Sequence, residues 1–461
     1  MATTHTTSPL LKLPGELLHQ ILRNLPAASL GQLAQTCRAL HARAHDDLLW
    51  KALVEAVLPA GYIDSIPDPK PNFRTLYLSH YPHWFLLKYR FWYSDEWDRG
   101  CLAVSAYNPA SNTITLYPVF VRIASPPQPL HWPVEQGASI YSFSPSVERA
   151  DHMPILSLAP QPLGPFSPFI PDGPTRRFMF TRPLPPNRLT PSPFTMLIIP
   201  RDILWPPYSM PTAERTRILC DSSYVSPGHT PRNARQVSTR TFRIKETEPP
   251  IPGFEEAFKF ITWAALDEDA LRPTERHPWR GLWAGDYQGH GPEFVAFLQP
   301  EAPWEMMIPP DALKATSDER DISELLLYDE YEDAYDESGW SEGDNLKEGE
   351  PVCEGPLVGV KLTGDENVPA GGIAFIAPDI GSGGTARRAW EPPFNGARVV
   401  RSTVQHVVTE TNDYDMSQLF LVDQDVIAQW YCEWGHFSFY RRVHMEQLLE
   451  RWDKEGREEV K

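Results

Sequence analysis

Leucine recurs at helical spacing near the amino end of the chain, and alternating strand-like segments dominate later. Leu17, Leu18, Ile21, Leu22 and Leu25 fall three and four residues apart and stop at Pro26, which predicts an amphipathic helix. Pro14 suits its first turn, where the missing N–H costs nothing, and Glu16 complements the positive helix start. Ser29 is the expected N-cap of a second helix with Leu30, Leu33, Ala34 and Cys37 on one face. A third helix groups Leu49, Leu53, Ala56 and Val57 before Pro59. Three helices in about fifty residues cannot bury so much leucine alone, so part of it is expected to face a partner.

The pattern then changes several times. Tyr77 to Tyr93 is rich in aromatic residues, and Cys101–Tyr107 and Thr113–Arg122 read as strands joined by an Asn108 to Asn112 turn. From Ser125 to about Pro250 proline recurs every few residues, which disfavours regular ladders and helices. This stretch reads as a long, partly ordered excursion with islands such as Thr195–Pro200. A short helix is expected over Gly253–Leu266. Strand-like segments return at Glu293–Gln299, Leu357–Leu362, Ile373–Ala377, Thr403–Thr409, Gln418–Val422, Val426–Cys432 and His436–Val443. Asp318 to Glu350 holds about fourteen acids and few bases, the composition of a solvated loop, although Leu325 to Tyr328 is an apolar patch suited to a docking helix. The last residues from Met445 predict a charged amphipathic helix.

The fold class expected is therefore α+β: a three-helix unit followed by a mainly antiparallel β-barrel with long irregular insertions. The boundaries are 8–60 for the helices, 72–123 for the aromatic-rich linker and first barrel strands, and 124–250 for the proline-rich insertion. They continue with 251–310 for more barrel, 311–352 for the acidic loop, 353–445 for the last strands and 446–461 for the tail helix. The strands on either side of the insertion are expected to close one barrel together.

Composition narrows the function. A net charge of -18 argues against a nucleic-acid binder. The five cysteines, 37, 101, 220, 353 and 432, form no close pair, which points to a reducing compartment. No leader peptide and no membrane span is expected, which points to cytosol or nucleus.

The amino-terminal residues carry a more specific pattern than periodicity. Leu13-Pro14, Leu25-Pro26, Ser29-Leu30, Cys37-Arg38 and Leu49-Trp50 occur in an order that resembles the F-box, the helical plug that docks a receptor onto the Skp adaptor of a cullin ubiquitin ligase. The resemblance implies that Leu13, Pro14, Leu17, Ile21, Leu22, Leu30, Leu33 and Cys37 contact the adaptor. The same helices also suit a small bundle packed on the rest of the chain.

Three later segments, Gly281–Glu293, Lys361–Gly371 and Phe420–Val443, resemble in order and type the substrate domain of the family of F-box only protein thirty-one. That family is implicated in degrading D-type cyclins and proteins with a C-terminal amide. The resemblance implies a β-barrel that holds a client's C-terminal tail, with Trp283, Tyr287, His290, Thr363, Asp365, Asn367 and Trp430 as candidate substrate contacts. Gly285, Gly289 and Gly291 allow a tight turn with exposed backbone. The same residues also suit plain hairpin turns, as do Asp365 and Asn367. A sharper reading makes Asp365 a carboxylate that accepts hydrogen bonds from a terminal carboxamide and repels a free carboxylate.

The family's Cys/His-rich segment has no counterpart here, since Cys220 stands among isolated histidines, so no metal or other cofactor is expected. No nucleophile elbow, His-Glu-x-x-His or dinucleotide fingerprint is present. Asp423 and Asp425 read as a hairpin turn. The expectation is a non-catalytic receptor subunit of an SCF-type ligase, with Skp adaptor, cullin and client proteins as partners. The alternative is a non-degradative binding or transport barrel that uses the helical unit as an assembly handle.

Overall fold

In a computed structural model, the helices, a first β-sheet and a closed barrel follow one another along the chain. The structure describes residues 9–58, 61–66, 72–81, 83–96, 99–135, 137–160, 179–183, 204–212, 216–217, 240–247, 258–287, 290–301, 353–365, 367–409 and 411–458. Thr195–Pro200, Cys220, Gly289 and the acidic block with Leu325 to Tyr328 lie outside these residues.

The amino-terminal helices are α1 (Gly15–Arg23), α2 (Ala27–Leu33), α3 (Arg38–Ala44) and α4 (Asp47–Glu55). They pack around Leu18, Leu22, Ala27, Leu30, Leu40, Leu49 and Trp50. Asp46 caps α4 by accepting from Leu48 N at 3.1 Å. Ser29 is not the expected N-cap: α2 begins at Ala27 after Pro26, with no side-chain cap. Helix α3 was not anticipated, because its inward residues are only Leu40 and Ala44 in an otherwise polar turn. Helices α5 (Phe73–His80) and α6 (Phe85–Lys88) lead into the sheets.

The first sheet contains β1 (Phe91–Ser94), β2 (Cys101–Asn108), β3 (Thr113–Ile123), β4 (Pro145–Arg149), β5 (Leu156–Leu158) and β6 (Met179–Pro183). After the short pair β7 (Leu204–Trp205) and β8 (Thr216–Arg217), it is completed by β9 (Thr241–Thr247) and β10 (Phe258–Ala265). Its order is β4-β3-β2-β1-β10-β9-β6, with β5 also on β3. Two expectations are corrected here. Residues 258–265 are a strand rather than a helix, because they pair with both β1 and β9. The strands before and after the proline-rich stretch do not share one barrel, since β1–β3 belong to this separate sheet.

The barrel is built from β11 (Gly281–Asp286), β12 (Pro292–Leu298), β13 (Leu357–Lys361), β14 (Ile373–Ala377), then β16 (Ala397–Thr409), β17 (Thr411–Asp423), β18 (Val426–Tyr431) and β19 (His436–Val443). These eight antiparallel strands form a continuous ladder that pairing of β14 with β16 closes, while β15 (Thr385–Ala389) hangs on the first half of β16. Alternation sends Trp283, Val295, Phe297, Phe375, Leu419, Ile427 and Tyr440 into the bore. Phe297 stacks on Trp283 at 4.7 Å and meets Phe375 and Tyr440 edge-on at 5.0 and 5.2 Å. The opposite parity, including Leu282, Phe294, Ala296, Val358, Phe420 and Phe437, packs against the first sheet.

The closing helix α7 (Met445–Glu458) joins both layers. Trp452 enters the core shared by the two sheets. Next to it, Asp453 accepts from Arg90 Nη2 and Nη1 at 2.7 and 3.1 Å and from Tyr62 Oη at 3.1 Å. Tail helix, linker and first sheet thus meet at one buried carboxylate.

Candidate functional site

Two surfaces carry the residues singled out by sequence. On the helical unit, α1 has an inner and an outer stripe. Leu18 and Leu22 face the core, whereas Leu17 and Ile21 are 47% and 45% exposed, and Leu13, four residues earlier, is 37% exposed. Pro14 and Cys37 are also exposed. Leu33 is half-buried against the helical core. Leu22 and Leu30 are buried inside it at 2% and 1%, so they are corrected from contact residues to residues that hold the contact face in shape. Leu48, 63% exposed at the start of α4, was missed because its neighbours Leu49 and Trp50 drew the pattern inward.

The second surface is one end of the barrel. Strand directions bring the β11–β12, β13–β14 and β18–β19 connections to the same end, which is the mouth. The two motif loops meet there: His290 Nε2 lies 3.2 Å from Asn367 Nδ2. Thr363 Oγ1 accepts from Phe294 N at 2.8 Å and ties its loop to β12. Gly291 turns with φ of +86°, while Gly285 is a strand residue facing the bore, where an added Cβ would come 2.7 Å from the Tyr440 ring.

Charge sits at inward positions just below these loops. Lys361, 1% exposed, places its ammonium 2.5 Å from Asp365 Oδ2 and 2.9 Å from Glu293 Oε2. The same ammonium lies over the Tyr287 ring, 3.8 Å from its centre. Burial drives the Glu293 carboxyl up to about 7, a push that Asp365 reinforces and Lys361 opposes. Burial also works against ionised Asp365, but the Lys361 charge and hydrogen bonds from Lys361, Val368 and Asn367 outweigh it and bring its pKa down. A polar chain continues inward: Tyr287 and Tyr440 hydroxyls are 3.1 Å apart, Tyr440 donates to Gln429 Oε1 at 2.6 Å, and Gln429 Nε2 donates to Ser417 at 3.1 Å.

Several expected contacts are corrected by this geometry. Asp365 is not an acceptor waiting for a ligand: Oδ1 already accepts from Asn367 N and Val368 N, both at 2.8 Å, and Oδ2 is held by Lys361. Trp283 is fully buried in the bore beneath the Arg442 guanidinium, 4.4 Å from the ring. Trp430 points out of the barrel, where Trp132 covers it at 4.9 Å. Neither tryptophan lines the mouth. Glu293, Lys361 and Tyr440 were missed as site residues, although a charged residue at the inward parity of an apolar strand is a signal readable from sequence. Asp423 and Asp425 form the β17–β18 turn, with Asp425 N donating to Asp423 Oδ1 at 2.8 Å.

Comparison with family models matches residues 10–56 to the F-box-like family and residues 263–447 to the Cyclin D1 binding domain family. No curated protein matches the chain. The first match coincides with α1 to α4 and the second with the barrel, so the chain carries an F-box-like unit in its amino-terminal helices and a Cyclin D1 binding domain in its barrel.

Proposed function

We propose that this protein is the substrate-recognition subunit of an SCF-type ubiquitin ligase. The outer stripe of Leu13, Leu17 and Ile21, with Leu48, docks on a Skp adaptor and through it on a cullin. The barrel mouth takes the tail of a client, with D-type cyclins as the candidate class, for ubiquitination and proteasomal degradation. The chain supplies recognition and no catalysis, in the cytosol or the nucleus. The observation that carries the reading is the pairing of an exposed apolar stripe on an F-box-like unit with a barrel end whose buried carboxylates outnumber their ammonium. Such a mouth favours a donor-rich end such as a terminal amide over a free carboxylate.

The test is co-purification from cells with ligase activity blocked, followed by reconstituted ubiquitination. Adaptor, cullin and ubiquitinated client should be recovered together. The double substitution Leu17→Asp and Ile21→Asp should abolish adaptor binding while changing folding stability by no more than about 0.5 kcal/mol, as expected for exposed positions. Adaptor binding that survives it would place the docking surface elsewhere.

A further inference from the structure

The loop that carries Asp365 joins β13 to β14 at the mouth, and it is held from outside the barrel as well as from within. On the barrel side it is tied to β12, since Leu362 N donates to Phe294 O at 2.9 Å and Thr363 Oγ1 accepts from Phe294 N. Its other side rests on two pieces of chain that are remote in sequence. One is the turn between β1 and β2, where Arg99 O accepts from Gly364 N. Gly100 in that turn has a φ of +65°, and an added Cβ would collide with Leu362 O and come 2.6 Å from Ala370 Cβ. The other piece is segment 205–210, inside the proline-rich stretch. Ser209 Oγ donates to Gly371 O at 2.8 Å, and a Cβ on Gly371 would lie 2.6 Å from Pro207 Cγ. Trp205 anchors this segment: its ring is 5.5 Å from that of Tyr93 on β1 and is buried in the core between the two sheets.

These outside contacts bear on the ion pairs beneath the loop. Lys361 ends β13 and is fixed by backbone bonds, donating from N to Gly372 O at 2.9 Å and accepting at O from Gly371 N at 2.7 Å. Asp365 belongs to the loop itself, so its distance from the Lys361 ammonium follows the loop. With the loop in place, Asp365 and Glu293 both hold that one ammonium, and the mouth has a carboxylate in excess. An outward swing of the loop would take Asp365 away and leave one carboxylate facing one ammonium. The repulsion of a free carboxylate would then be gone. A backbone packed on both sides, with no room for a Cβ at Gly100 or Gly371, is kept from that swing.

We infer that the β1–β2 turn and segment 205–210 clamp the mouth loop, with Gly100 and Ser209 as positioning residues that keep Asp365 on Lys361 and so set the preference for an amidated client end over a free carboxylate. The inference rests on the mouth reading above. It adds the first sheet and part of the proline-rich stretch to the machinery of recognition, although neither reaches the client.

The experiment measures, by fluorescence anisotropy, binding of the full chain to one D-type cyclin C-terminal peptide made with a terminal amide and with a free carboxylate. The native protein should prefer the amide. Ser209→Ala removes one hydrogen bond and should cut the amide-to-acid affinity ratio roughly threefold. Gly100→Ala forces the loop away and should cut it roughly tenfold, in part by tightening the acid peptide. Ser209→Thr keeps the hydroxyl and should recover the native ratio. The ratio is unmoved by a smaller folded fraction, which lowers the signal of both peptides alike, so a merely structural role would leave it at the native value. Should Gly100→Ala fail to fold, Ser209→Ala decides. If the native protein prefers the amide and the folded variants keep its ratio, this inference falls while the mouth reading stands. If the native protein binds neither peptide, or both equally, the two fall together.

Discussion

Glu293 shows how a single side chain converts burial into pH dependence. Its carboxyl is raised from 4.5 to about 7, mainly because the ionised form is cut off from water. A folded-state value above the unfolded one means that stability is fully present below about 4.5 and is lost as pH climbs towards 7. The loss is on the order of 3 kcal/mol across that window. Denaturant unfolding at several pH values should show this slope in the native protein, and Glu293→Gln should flatten it. An equal slope in both would mean that another group sets it. The residue scale is also where the sequence was least legible. Thr363, Asp365 and Asn367 could be assigned to a loop, yet which carboxylate is occupied depends on Lys361 being threaded between β12 and β14.

At the scale of elements, much could be read from pattern alone. Residues 357–361, 373–377 and 426–431 are short, mainly apolar runs bounded by turns and were expected as strands within a residue of where they lie. Residues 258–265 misled because Phe254, Ala257, Phe258 and Ile261 mimic helical spacing, while pairing with two neighbouring strands outweighs that local preference. Prolines in the 125–250 stretch did not prevent β4, β5 and β9 from joining the first sheet. Helix α1 gives an element-scale prediction, because its two stripes have opposite roles. Leu22→Ala empties a core position and should cost about 2–5 kcal/mol in denaturant unfolding. Its neighbour Ile21, exposed on the other stripe, should instead register in adaptor affinity.

For the whole molecule, alternation tells that a segment is a strand but not which sheet takes it. The assignment of β1–β3 to one sheet and β11–β19 to another is settled by contacts across more than a hundred residues, such as β1 with β10. The three-way junction at Asp453 belongs to this scale too. Arg90 and Asp453 are 12% and 11% exposed as side chains, so Asp453→Ala would leave a buried guanidinium without its carboxylate. The expected cost is about 3–5 kcal/mol, read as a lowered midpoint in thermal or denaturant unfolding. A shift below about 0.5 kcal/mol would show that water readily replaces the carboxylate.

The filling of the barrel by Trp283, Phe297, Phe375 and Tyr440 has a geometric corollary. A socket with a solid floor cannot be threaded. A polypeptide presented by its middle must double back and so arrives twice as wide, whereas a terminus arrives single file and stops where the floor begins. Depth, as much as charge, therefore supports the proposal that the mouth takes a chain end.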